Sequence, residues 1–144
     1  MRVREHILKF QRFEATMDRL DREDDFELLI DFCMLSASHL FNAALHVEGV
    51  TYQHADHGHV NLPPLEQYSK QPSKLFYQGS RALDAIEGLR GRYVRGEGAY
   101  DAKVIDGCLV SYEEATTCFL KIIGENFDDP FWAHEAMELR DRIS

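Results

Sequence analysis

FELLIDFCMLSASHLFNAALHV, residues 26–47, decides the architecture. The run holds no glycine or proline, and its side chains repeat at helical period in two stripes instead of one. Phe26, Leu29, Ile30, Cys33, Ala37, Leu40, Phe41 and Ala44 form the first stripe. Leu28, Phe32, Leu35, His39, Asn42 and His46 form the second. A helix with two such stripes touches neighbours on both sides, so it is either central in a bundle or also part of a dimer interface. Asp24, followed three residues later by Glu27, predicts a capping box at its start, with aspartate in the place of the usual serine or threonine.

On the N-terminal side, Val3, Ile7, Phe10, Phe13, Met17 and Leu20 recur at intervals of three and four, which predicts an amphipathic helix running to about Leu20. On the other side, Glu48 to Pro72 carries glycines, histidines and the Pro63-Pro64 pair, which disfavours a helix immediately before it. This stretch reads as a long connection. A third helix is expected over roughly Ser73 to Val94, with Gly96 and Gly98 supplying residues that tolerate a left-handed stop. Asp101 caps a fourth helix whose inner face is Val104, Ile105, Cys108, Leu109, Tyr112, Ala115, Phe119, Leu120 and Ile123. Asp129-Pro130 reads as the cap and first-turn proline of a short fifth helix, with Trp132, Ala136, Leu139 and Ile143 on one side. No alternating strand pattern competes. The expected fold is all-α: an up-and-down four-helix bundle with a short additional C-terminal helix over about 130–143, in a single domain spanning 1–144.

A chain of 144 residues supports one core, burying about 70% of the surface its unfolded form exposes. The hydrophobic fraction of 44% and charged fraction of 28% are those of an ordinary soluble protein. A net charge of -9 opposes broad, sequence-independent nucleic-acid binding, which needs cations to displace counterions from phosphates. The N-terminus interleaves charge with apolar residues, unlike a signal peptide, and no later run is expected to span a bilayer, so the expected location is the cytoplasm with no membrane partner. Cys33, Cys108 and Cys118 show no C-x-x-C spacing and fall on apolar helical faces, as reduced packing residues do. No local pattern marks a serine, threonine or cysteine nucleophile.

Against this acidic background LRGRYVRGEG, Leu89 to Gly98, gathers three arginines where the third helix ends. Arg90 falls in the same arc as Ala82, Leu83, Ile86, Leu89 and Tyr93, whereas Arg81, Arg92 and Arg95 lie elsewhere. Cations in a last turn gain about 0.3 to 1 kcal/mol from the free carbonyls there, which accounts for Arg92 and Arg95. An inward guanidinium needs a partner or a route to the edge, since its desolvation costs several kcal/mol. The segment resembles the signature of the HEPN (higher eukaryotes and prokaryotes nucleotide-binding) helical domains, Arg-Asn-x-x-x-His followed by a small residue. The resemblance covers about Asp24 to Ile123 and rests largely on helical topology.

The resemblance implies a dimer. In active members the arginine and histidine of two protomers meet across a cleft and cleave RNA. Arg90 matches the family arginine, but Gly91 stands at the asparagine position and Arg95 at the histidine position. A guanidinium stays protonated, so Arg95 is no general base. The resemblance therefore implies a non-catalytic homodimeric module that binds protein or nucleotide, such as a partner of a nucleotidyltransferase or part of a toxin-antitoxin-type system. Arg90, Arg92 and Arg95 would face phosphate. The enzyme alternative is a divergent metal-independent ribonuclease in which Arg90 stabilises charge on the RNA and a histidine from elsewhere acts as base.

TYQHADHGHV offers a third reading, because it sets His54, Asp56, His57 and His59 close together, with His46 just before. A loop can turn three such imidazoles inward and complete the shell with the carboxylate, holding zinc or nickel. No H-E-x-x-H or paired-cysteine pattern accompanies them. If this connection joins an antiparallel helix pair, His46 and Arg90 lie about 20 to 25 Å apart in one protomer, too far for a common site. The polar part of the second stripe, His39, Asn42 and His46, would line such a shared cleft in an antiparallel dimer; the plainer reading is a solvated helix end with satisfied histidines.

Overall fold

The computed structural model describes residues 1–53, 56 and 69–126. Four helices, α1 (Val3–Met17), α2 (Phe26–Val47), α3 (Lys74–Tyr93) and α4 (Ala102–Asn126), carry the fold, and there is no strand among the described residues. The fifth helix expected over 130–143 and most of the connection, including His54, His57 and His59, lie outside the described residues.

α2 is the centre. It packs against α1, α3 and α4, and α3 packs against α4. The first stripe of α2 enters the core shared with α3 and α4, where the rings of Phe41, Phe76 and Phe119 meet with centroids 4.9 to 5.9 Å apart. α1 lays Val3, His6, Ile7 and Phe10 on the other side of α2, all buried. The second stripe is covered progressively: Leu28 is exposed, Phe32 packs edge-on against Phe13, and Asn42 and His46 are buried. By length and composition α2 is apolar enough to cross a membrane, contrary to the expectation that no run would be. In the fold, 72% of that stretch is buried by neighbouring helices, which accounts for its composition.

The helix ends correct three sequence expectations. α1 stops at Met17, and Met17 and Leu20 only border the core. α2 starts after Asp25, without a side-chain cap. The Asp24 and Glu27 box does not form there, because Asp21 takes the backbone N–H groups of Glu23 and Asp24 while the Asp25 carboxylate accepts from the Asp21 N–H. Gly96 and Gly98 are not left-handed. A Cβ on Gly96 would lie 2.9 Å from the Arg92 carbonyl, and one on Gly98 would lie 2.7 Å from the Tyr93 ring, so close approach excludes larger residues.

The positive φ among the described residues, 73°, belongs to Gly49. Glycine adopts it without a Cβ clash. There the Gly49 and Val50 N–H groups donate to His46 and Leu45 carbonyls, closing α2 and turning the chain back over its last turn. Ser73 caps α3 as expected, its hydroxyl accepting from the Phe76 N–H, and the Asp101 carboxylate accepts from the Lys103 N–H at the start of α4. All three cysteines are free and buried, as expected.

α3 approaches α4 most closely at Gly79, where an added Cβ would lie 2.7 Å from the Phe119 ring and 3.1 Å from the Cys118 Cβ. Gly79→Ala should therefore lower stability by about 1 to 3 kcal/mol through overpacking, despite the better helix propensity of alanine. Urea denaturation monitored by circular dichroism measures this, and an unchanged or raised midpoint would contradict the packing described.

Candidate metal centre

Three side chains from three parts of the chain converge at the outer end of the α1–α2 seam. His6 lies on the buried face of α1, His46 in the last turn of α2, and Asp56 in the connection that Gly49 turns back. Asp56 Oδ1 is 2.9 Å from His6 Nε2 and 2.8 Å from His46 Nε2. One potential ligand atom from each residue lies within 4.8 Å of the others. Both imidazoles are nearly sealed from solvent, with side-chain exposures of 2% and 1%, against 32% for Asp56. Asp56 Oδ2 accepts from the Met1 amino group.

The outer ring nitrogens are also occupied. His6 Nδ1 lies 3.0 Å from His39 Nδ1, and His46 Nδ1 lies 2.8 Å from Thr51 Oγ1. His39 stacks on Phe13, with ring centroids 5.9 Å apart and planes 25° apart. Burial lowers the pKa of His6, and its hydrogen bond to Asp56 only partly opposes this. Burial, with the nearby His6 and Lys9, lowers that of His39 to about 4. For Asp56, burial would raise the pKa, but hydrogen bonds from the Met1 amino group, His6 and His46 outweigh it and bring the carboxyl to about 2. At neutral pH His6 and His39 are therefore neutral imidazoles and Asp56 is a carboxylate.

Neutral imidazole and ionised carboxylate are the forms that bind a metal. A tetrahedral zinc with bonds of about 2.0 to 2.1 Å holds its donors roughly 3.3 Å apart. Each imidazole nitrogen needs to part from the Asp56 oxygen by only a few tenths of an ångström to reach that spacing. Two imidazoles and one carboxylate suit zinc, nickel or cobalt and leave a coordination position free for water or an outside donor.

Of the loop ligands expected from the sequence, Asp56 is in this cluster, while His54, His57 and His59 lie outside the described residues. His6 was not singled out. Its signal was a lone polar residue between Val3 and Ile7 on the apolar face of α1. His39 and His46 share the second stripe as expected, but they face α1 of the same chain.

The arginines lie elsewhere. Arg90 points inward, 8% exposed. Its Nε donates to Asp31 Oδ1 at 3.0 Å, its Nη2 is 2.8 Å from the same oxygen, and its Nη1 donates to Glu87 Oε2 at 2.9 Å. Burial disfavours the cation, and the bonds to Glu87 and Asp31 more than offset this, so its pKa is raised. Arg92 covers the Tyr93 ring, 5.4 Å from its centroid, and Arg95 is exposed, 3.8 Å from Glu87. No family model, curated protein or solved structure matches this chain.

Arg90→Ala leaves Asp31 and Glu87 facing each other without their cation. Each keeps about a quarter of its side-chain surface in water, so the expected loss is about 2 to 3 kcal/mol, below that of a fully buried pair. Thermal and urea unfolding measure it, and wild-type stability would show that the pairs contribute nothing.

Proposed function

We propose that this protein binds one divalent transition metal ion, zinc or nickel, through His6 Nε2, His46 Nε2 and Asp56 Oδ1. One observation carries the reading: two buried imidazole nitrogens share a single carboxylate oxygen, while the opposite nitrogen of each ring already has a hydrogen-bond partner. A cluster kept only for packing has no need of two buried histidines and an ionised carboxylate, since apolar side chains of similar volume fill a helix seam at lower desolvation cost. The metal is held at the seam of the helical body, with the free position available to an outside donor.

Protein purified without a histidine tag, dialysed against zinc, should retain one equivalent by elemental analysis. His46→Ala should reduce retention by at least tenfold. A wild-type protein that retains no zinc, nickel or cobalt would remove this reading and leave a hydrogen-bonded histidine cluster.

A second reading rests on Arg90, which lies in the last turn of α3, where the HEPN resemblance sets its motif arginine. In that reading the chain is a non-catalytic HEPN-like module acting as a cytoplasmic homodimer toward a protein, such as a nucleotidyltransferase, or a nucleotide. The contacts of Phe41 with Phe76, Phe41 with Phe119 and His6 with His46 support an up-and-down order of the helices, to which residues 130–143 would add a fifth. A phosphate reaching Arg90 has to displace Asp31 or Glu87, which makes the nucleotide role the weaker part. The dimer predicts a native mass near twice 16.7 kDa by light scattering, and a monomer at that concentration would contradict it.

A further inference from the structure

The metal-binding reading leaves one histidine of the cluster without a role. His39 lies midway along the second stripe of α2, partly buried, one face on Phe13 and its Nδ1 on His6 Nδ1. Its ring centroid is 5.3 Å from that of His6, with the planes 47° apart. His39 is not among the convergent donors.

A neutral imidazole carries one proton on two nitrogens. If His6 Nε2 gives its lone pair to a metal ion, the proton sits on Nδ1 and needs an acceptor. Water is a poor substitute, because His6 is 1% exposed, and the atom facing Nδ1 is the His39 nitrogen. His39 must then present a lone pair at Nδ1 and carry its own proton on Nε2. Without metal the reverse pattern fits the same distances: His39 donates to His6 Nδ1, and His6 Nε2–H donates to Asp56. Loading thus exchanges the tautomer of both rings. Each ring gives one proton to solvent and takes one back at the other nitrogen, so both stay neutral.

We infer that His39 is a positioning residue for the metal: its Nδ1 accepts the Nδ1–H of His6 and holds His6 in the tautomer whose Nε2 lone pair faces the ion. Thr51 would do the same for His46 when an ion is bound, its hydroxyl oxygen, 2.8 Å from Nδ1, then accepting the Nδ1 proton. A hydroxyl both donates and accepts, so Thr51 serves either tautomer, whereas His39 has to change its own. His39 is therefore the partner whose loss is felt most. Partners of this kind typically contribute 10- to 100-fold in metal affinity.

The inference rests on the metal-binding reading, and its test separates the two. Zinc affinity is measured by competition with a chromophoric chelator for wild type, His39→Phe and His39→Gln. Phenylalanine keeps a ring on Phe13 but offers no acceptor; the glutamine amide oxygen restores one. His39→Phe should bind zinc about 10- to 100-fold more weakly with unchanged helical content, and His39→Gln should recover much of the loss. In zinc-loaded wild type, nitrogen-15 correlation spectra should show the His6 proton on Nδ1.

Wild-type protein that binds no zinc overturns both readings. Wild type and His39→Phe binding equally, or His39→Gln binding as weakly as His39→Phe, overturns the role of His39 alone. If His39→Phe does not fold, the spectra decide, and a His6 proton on Nε2 in the loaded protein sinks the inference.

Discussion

Two imidazoles buried at one end of a helix seam require something to receive their hydrogen bonds, and a single carboxylate oxygen of Asp56 serves both. The local arrangement answers to that constraint. Gly49 takes a left-handed turn that brings the connection back across the end of α2. Thr51 and Asp56 then sit against the two nitrogens of His46. Water supplies hydrogen bonds poorly at so sealed a place, so the protein supplies them itself. The result is a set of donors already aimed at one another, which would lower the ordering cost of the ion we propose.

The rest of the molecule packs around the two helices that form this seam. α2 is held on three sides, and the aromatic contacts of Phe41, Phe76 and Phe119 fix it against α3 and α4. The buried residues of α1 lie along the remaining side, so His6 is placed by the same contacts that bury Val3, Ile7 and Phe10. At the opposite end of α2, Arg90 reaches across from α3 to Asp31 and is neutralised there. Two polar devices thus mark the helix near its ends: a guanidinium paired with two carboxylates, and two histidines that share one carboxylate oxygen.

Much of the fold was legible because helical period survives in a single chain. The double stripe of residues 26–47 indicated a central helix, and the inner faces of α1 and α4 follow the three-and-four spacing. The arc containing Arg90 likewise indicated an inward side chain, though not that Asp31 would meet it, since that pair is separated by 59 positions. Helix ends were harder to read. Competing hydrogen bonds around Asp21 moved the start of α2, and a steric requirement at Gly96 and Gly98 resembled a conformational one. The site was the least legible part. Its donors come from positions 6, 46 and 56, no short spacing links them, and the dense local run TYQHADHGHV drew the reading toward its own histidines. Asp56, with His46 just before it, falls within that run's reach, whereas the sign of His6 is only a lone histidine on an apolar face.

Zinc K-edge X-ray absorption on the loaded protein tests the central claim most directly, because it reports the atoms bound to the ion instead of the fact of binding. Two imidazole shells at about 2.0 Å together with oxygen, reduced to one imidazole by His6→Ala or His46→Ala, is the predicted result. A shell of oxygen alone, or one that neither substitution changes, would contradict it.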